Sequence, residues 1–180
     1  GFSDLDLQLT QSGSTWILTD WEDNVETYTA AGQLTSIKAR NGYTQTLQYN
    51  SSNQLISVTD SYGRKLTFTY DGGHTAVTTP DGLVLSYSYT TMPGSGPLLT
   101  EIAYSTNPPT RQTYIYEKLP LNQIWPLTGI VDENGNRFAT WSYDPNYIFP
   151  RAISSQHADG ADLTTIAYSG DGTTITVTNA

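Results

Sequence analysis

The 180-residue chain is 37% hydrophobic and only 14% charged, too apolar for a disordered chain and too polar for a large compact core. Its formal net charge of −9 comes from 8 Lys+Arg against 17 Asp+Glu, which argues against nucleic acid and anionic membrane surfaces as partners. With no Cys there is no disulfide, no thiolate catalysis and no Cys-based zinc site, and no apolar run is long enough for a transmembrane helix.

Aromatic usage is skewed to 13 Tyr against 4 Phe, and Thr recurs throughout. Both residue types suit a pleated surface that is wet on one side, so β-structure with a polar face is expected. Residues 1–15 read as a lead-in or cap, and Gly1-Phe2-Ser3-Asp4 lacks the basic and apolar regions of a signal peptide. From Trp16 the chain repeats. Gly32-Gln33-Leu34-Thr35-Ser36-Ile37 returns as Asn53-Gln54-Leu55-Ile56-Ser57-Val58, a spacing of 21 residues from Leu34 to Leu55. Asn41-Gly42 is followed at that spacing by Tyr62-Gly63, and Tyr28, Tyr49 and Tyr70 keep it as well.

One unit is two strands and two turns. Residues 34–39 read as a strand, Arg40-Asn41-Gly42 as a tight turn, 43–49 as the return strand and 50–54 as the next turn. The return strands alternate, with Leu66, Phe68 and Tyr70 on one face and Lys65, Thr67 and Thr69 on the other. Tyr49, Leu66, Phe68 and Tyr70 are therefore expected to be well buried. The outgoing strands alternate less cleanly, because Leu34 and Ile37 are three apart, and a bulge or a late strand start would explain that.

Residues 16–92 form the regular repeats. Residues 93–126 are an irregular repeat with lengthened connections at Pro93-Gly94-Ser95-Gly96-Pro97, Asn107-Pro108-Pro109 and Leu119-Pro120. Residues 127–180 restore the pattern through Leu127-Thr128-Gly129-Ile130 and Trp141-Ser142-Tyr143-Asp144, then through Ala152-Ile153 to Tyr168. The final Thr173–Ala180 stretch reads as the outgoing strand of a further, truncated unit, so a fragment of a longer protein is expected. No segment has a helical period. The expected fold is all-β, a meander of antiparallel hairpin repeats forming a curved sheet or strip. Its edge strands invite pairing with another chain, so either a cap drawn from residues 89–122 or edge-to-edge self-association is expected.

The motifs that could carry chemistry have plain readings as turns. His74 and His157 each lack a second His at ligand spacing, so no metal site is expected. Asp132-Glu133-Asn134-Gly135-Asn136 begins like a Ca²⁺ loop, but Arg137 and Tyr143 stand where that loop needs Gly and Glu, and a hairpin turn is expected. Asp20-Trp21-Glu22-Asp23-Asn24 is a denser acidic turn with weak Ca²⁺ binding as its alternative. Paired carboxylates for glycoside hydrolysis are a third option that sequence alone does not decide. No cofactor and no catalytic residue is expected. Among Trp16, Trp21, Trp125 and Trp141, the first and last read as packed strand residues. Trp21 and Trp125 are the candidate carbohydrate-binding residues, Trp125 being the more exposed of the expected pair because it sits beside Pro126 in a connection.

Gly32-Gln33-Leu34-Thr35-Ser36-Ile37, Asn41-Gly42 and the Tyr70-Asp71 and Tyr143-Asp144 pairs together resemble the RHS or YD repeat. The resemblance runs from about Trp16 to the end, strongest in the units closing at Tyr49, Tyr70 and Tyr143. It implies a strip of β-sheet that forms part of a shell. In bacterial members, which are related to insecticidal toxin complexes and to animal teneurins, that shell encloses a C-terminal toxin released at a Gly-rich Asp-Pro motif. Asp144-Pro145 lacks the following glycines and reads as an ordinary turn. The resemblance thus implies a non-catalytic wall segment of a secreted or cell-surface bacterial protein, partnered by the rest of its shell and a toxin cargo. A carbohydrate- or protein-binding surface is the alternative, with neither nucleic acid nor membrane insertion expected.

Overall fold

The computed structural model describes residues 7–72, 74–121, 124–147 and 149–180. The chain divides into two compact units, residues 1–69 with 77–83 and residues 70–76 with 84–180. Unit one carries β1 (Gln8–Ser12), β2 (Thr15–Thr19), β3 (Val25–Tyr28), β4 (Leu34–Lys38), β5 (Thr44–Tyr49) and β6 (Leu55–Asp60). The division falls within β7 (Lys65–Asp71) and β8 (His74–Thr78). Unit two carries β9 (Val84–Thr91), β10 (Pro97–Tyr104), β11 (Thr110–Tyr116), β12 (Leu127–Val131) and β13 (Arg137–Tyr143). It ends with β14 (Ala152–His157), β15 (Thr164–Tyr168) and β16 (Ile175–Asn179).

The hydrogen-bonded order of strands is the order of the chain, from β1 to β16, and every pairing of described register is antiparallel. This is the expected meander. The irregular stretch joins it too, since β10 and β11 each pair on both sides and do not fold over an edge as a cap.

The period has a local cause. Seven loops, at residues 20–24, 29–33, 39–43, 50–54, 60–64, 79–83 and 132–136, share one hydrogen-bond pattern. The first residue donates its N–H to the carbonyl of the fifth and accepts from the N–H of the fourth. This is a type I turn followed by a left-handed residue, the common three-residue hairpin loop. The fourth residue has φ between 60° and 90° in all seven: Gly32, Gly42, Gly63, Gly82 and Gly135, with Asp23 and Asn53 in the other two. Glycine meets no steric cost there, and Asn and Asp are the side chains that tolerate it best. The first residue stiffens the loop. Oδ1 of Asp20, Asn50, Asp60 and Asp132 each accepts from the N–H groups two and four residues on, at 2.8–3.0 Å. Alternate loops begin 21 residues apart, at Thr29 and Asn50 and at Ala39 and Asp60, which is the sequence period.

A bulge follows five of the closing tyrosines. The register passes from Thr27↔Ser36 to Tyr28↔Leu34, leaving Thr35 as the extra residue, and from Gln48↔Ser57 to Tyr49↔Leu55, leaving Ile56. In unit two the same shift leaves Thr100 opposite Tyr89, Thr128 opposite Tyr116 and Ile153 opposite Tyr143. This accounts for the three-residue spacing of Leu34 and Ile37. These five residues are β-branched, and the three threonines among them use their hydroxyls; a sixth shift, in β13, leaves Phe138 as its extra residue. Oγ1 of Thr35, Thr100 and Thr128 donates to the carbonyls of Thr27, Ser88 and Ile115, at 3.0, 3.2 and 3.2 Å. The bulge breaks the ladder locally, and the hydroxyl supplies a partner to a carbonyl beside the break.

Burial departs from expectation. Tyr49, Leu66 and Phe68 are half-buried rather than well buried, and Tyr70 is 39% exposed. Among the described residues only Leu119, Ala139, Ser57, Thr128 and Gly129 are buried. Strands β2 and β3 are intermediate at every position, so neither face of unit one is sealed. The reason is that these side chains are covered mainly by cross-strand neighbours, with no second packed layer over them. One face carries Leu47↔Val58↔Leu66, and the other carries Thr27↔Ser36↔Thr46↔Thr59↔Lys65.

Unit two adds two tyrosine clasps. The Tyr143 hydroxyl donates to the Leu127 carbonyl and the Tyr168 hydroxyl to the Ala152 carbonyl, both at 3.0 Å, so each closing tyrosine bonds the first residue of its own repeat. The Arg151 guanidinium lies 3.3 Å from the ring centroid of Tyr147 and 4.4 Å from that of Tyr168, and its Nη2 donates to Asp144 Oδ2 at 3.0 Å.

Candidate binding rim and clefts

In a meander, alternate loops share an edge. Loops 20–24, 39–43 and 60–64 therefore line one rim of unit one, and their side chains connect. Arg40 Nε pairs with Asp23 Oδ2 at 3.5 Å, joining the first two loops. The Ser61 hydroxyl accepts from the Thr44 N–H at 2.6 Å and donates to the Thr44 carbonyl at 3.2 Å, joining the last two.

Trp21 stands on this rim and is 74% exposed. The acidic turn around it is occupied by its own hydrogen bonds. Asp20 Oδ1 accepts from the N–H groups of Glu22 and Asn24, and Asp20 Oδ2 accepts from the Asn24 side-chain amide, all at 2.9 Å. The Asn24 amide, then its N–H, hold the Asp20 carboxyl below the ordinary carboxylate range. Among the described residues no group of three or more His, Asp or Glu side chains converges as a metal site would require.

Trp125 is half-buried, and its Nε1–H donates to the Pro93 carbonyl at 3.1 Å. The order of exposure expected for the two candidate tryptophans is thus reversed. Trp125 uses its polar handle to tie down the lengthened connection in which it sits, whereas Trp21 offers an open ring face. Trp16 and Trp141 are half-buried strand residues.

The rim holds a second aromatic pair that sequence reading passed over. Tyr62, 78% exposed at a loop tip, has its ring centroid 6.1 Å from that of Tyr43, with the planes tilted by 38°. Behind them lies Asp60, whose side chain is 8% exposed. Its Oδ1 takes the Tyr62 and Arg64 N–H groups at 2.9 Å, and its Oδ2 takes Arg64 Nε at 2.6 Å and the Tyr43 hydroxyl at 3.3 Å. Burial pushes the Asp60 carboxyl up, but the Arg64 hydrogen bond and the two backbone donors outweigh it and hold the group low. The clue in sequence was the placing of Tyr62 inside a turn, where a large aromatic has nothing to pack on.

In unit two a polar cleft of about 640 Å³ lies between the 132–136 loop and the 157–160 segment, lined by Asp132, Arg137, Gln156 and His157 among others. Arg137 is fixed there, with Nη2 donating to the Thr128 carbonyl at 2.8 Å and Nε to Thr140 Oγ1 at 3.1 Å. His157 ends β14, lies 5.3 Å from the Phe138 ring and pairs through Nδ1 with Asp162 Oδ2 at 3.0 Å. The His74 side chain lies outside what is described.

Residues 28–65 match the family model described as RHS Repeat. They hold four of the loops, the bulges at Thr35 and Ile56, and the Tyr49 closure. That stretch of the chain carries an RHS repeat. The RHS repeat is a structural unit, and loops 79–83 and 132–136 with bulges at Thr100, Thr128 and Ile153 carry its local chemistry beyond the matched span. No curated protein matches the chain. Among solved structures it is similar to a porin-like protein from Bacteroides uniformis ATCC 8492, at 16% sequence identity and a TM-score of 0.35. That similarity covers 92% of this chain, which spans 60% of the porin-like one. No helix among the described residues is long and apolar enough to cross a membrane.

Proposed function

We propose that this RHS-repeat chain is a non-catalytic wall segment of a larger secreted or cell-surface bacterial protein, part of a shell that encloses or presents a C-terminal toxin cargo. The observation that carries the reading is the meander itself. Every strand pairs with its neighbours in sequence, and the same loop and bulge recur in both units, so the sheet extends by repetition. Such a strip forms a barrier by its backbone ladder, and a half-buried surface of Tyr, Leu and Thr lets either face meet solvent or cargo. Its partners are the remainder of the shell and the cargo. Its edge strands β1 and β16 are exposed at every position and hold no charged residue, which favours strand addition, whether by neighbouring repeats or by a second copy.

The test is protease protection in the full-length parent protein. A cargo inside an intact wall resists digestion, and Gly63→Pro together with Gly135→Pro, which break one loop in each unit, expose it. Equal digestion of the cargo with and without these substitutions refutes the wall reading.

A further inference from the structure

Asn41-Gly42 and Asn134-Gly135 are the two Asn-Gly pairs of the chain, and both stand at the third and fourth places of the same kind of loop. An Asn followed by Gly is open to attack on its side-chain amide by the main-chain nitrogen of the next residue, because glycine has no side chain to block the approach. All four residues are exposed, so water reaches both pairs.

The two loops differ at their first residue. In five of the seven loops the N–H of the fifth residue goes to a side-chain oxygen of the first. Asn136 N–H bonds Asp132 Oδ1 in this way at 2.8 Å, and the same oxygen takes the Asn134 N–H at 3.0 Å, so that loop is pinned twice. Loop 39–43 begins with Ala39, whose side chain has no oxygen to offer. Its fifth N–H, on Tyr43, goes instead to Asn41 Oδ1 at 2.9 Å. Without the pins the loop opens more readily, which frees the Gly42 N–H from the Ala39 carbonyl that it meets at 2.8 Å. The Tyr43 bond spans only residues 41–43, so it survives that opening. It polarises the Asn41 amide and is aimed at the oxygen on which negative charge develops when Cγ is attacked.

We propose that Asn41 is a site of spontaneous modification, at which the side-chain amide is converted to a carboxylate well ahead of Asn134. The Gly42 nitrogen gives its proton to hydroxide and bonds to Asn41 Cγ. The bond from Cγ to the amide nitrogen breaks, and that nitrogen leaves as ammonia with a proton from water. Water then opens the cyclic imide. Attack at Cγ breaks its bond to the Gly42 nitrogen and yields aspartate; attack at the main-chain carbonyl carbon breaks the other bond and yields β-linked isoaspartate. Water is the co-reactant throughout. The aspartate keeps an oxygen for the Tyr43 N–H. The isoaspartate adds a carbon to the main chain inside a loop closed by Ala39 N–H on Tyr43 O and Gly42 N–H on Ala39 O, both at 2.8 Å, so it loosens the β4–β5 hairpin.

Peptide mass mapping of protein aged in mildly alkaline buffer, with isoaspartyl methyltransferase labelling of the β-linked product, tests the proposal. Asn41 is expected to convert roughly fivefold faster than Asn134, the factor that one hydrogen bond to the developing charge supplies. Ala39→Asn restores an oxygen at the first place without adding a charge, as Asn50 provides in its own loop, and slows Asn41 to the rate of Asn134. Asp132→Ala speeds Asn134. In urea that unfolds the chain, the two rates converge. Circular dichroism verifies the fold of each variant, and Ala39→Asn decides the matter if Asp132→Ala does not fold. The proposal is overturned if Asn134 converts as fast as Asn41 in the folded protein, if folded Ala39→Asn leaves the Asn41 rate unchanged, or if the difference between the two sites persists in urea.

Discussion

The bulge hydroxyls give the sharpest test of what holds the repeat together. Thr128 is 7% exposed and donates to the Ile115 carbonyl at 3.2 Å. Thr128→Val keeps the β-branched shape and removes the donor. A hydrogen bond is worth about 1 kcal/mol net, and leaving a buried carbonyl short of a partner costs about 1–3 kcal/mol, so a loss of about 1–2 kcal/mol is expected. For a chain of this size that lowers Tm by about 2–8 °C. Thr35→Val, at a half-buried site where water can replace the hydroxyl, is expected to cost about half as much. Urea denaturation followed by circular dichroism, with the m-value checked for constancy, measures both. Thr128→Ser is the companion variant, retaining the hydroxyl and losing the methyl. Ile56 and Ile153 occupy the same bulge position without a hydroxyl, which defines the competing explanation. If Thr128→Val is neutral or stabilising while Thr128→Ser is destabilising, the position is held for its branched shape, and the hydrogen-bond argument fails.

Three further outcomes follow from the same geometry. Gly63→Ala, at φ +80°, is expected to cost about 1–2 kcal/mol, and Gly63→Asn less, since Asn53 already holds the equivalent place at φ 60°; chemical denaturation of the two variants checks the order. Gly129→Ala would set a methyl 1.9 Å from Arg137 Nη2, forcing the guanidinium off the Thr128 carbonyl and Thr140 hydroxyl, with an expected loss of about 2 kcal/mol that a Gly129→Ala/Arg137→Ala double variant partly restores. The loop carboxyls of Asp20, Asp60, Asp81 and Asp144 lie below their ordinary value of 3.8, and Asp171 lies at about 2. Each carboxylate therefore stabilises the fold fully above the unfolded value, and that contribution is lost as the pH falls through the folded one. Stability is expected to be flat down to about pH 4 and to drop towards pH 2, and Asp60→Asn should flatten that drop in a melting series against pH.

The repeat was legible because its determinants are local. A Gly, Asn or Asp at the fourth place of a polar turn marks most of the loops, and the irregular Leu34–Ile37 spacing left a bulge or a late strand start, between which the register decides for the bulge. Burial was not legible. Alternation of Leu66, Phe68 and Tyr70 with Lys65 and Thr67 identifies a face, but not whether anything covers it, and Tyr70 proved 39% exposed. The candidate rim was half legible for a related reason. Trp21 lies in an obvious turn and is exposed, but Trp125 next to Pro126 was read as open when its N–H is held by Pro93, more than thirty residues away in sequence. The Tyr43–Tyr62 pairing depends on two loops meeting across an edge, which follows from the registry of a whole hairpin rather than from any short motif.

The order of strands also bears on how such a chain forms. A ribosome delivers the strands one at a time, and each arriving strand finds its partner in the one just made, across a connection of two to ten residues. Loop closure is short at every step, so the slow search that delays most all-β proteins is avoided, and no strand waits for a distant mate while its edge stands open to aggregation. Growth by addition at one edge suits a very long polypeptide, whose synthesis takes far longer than the folding of any single hairpin.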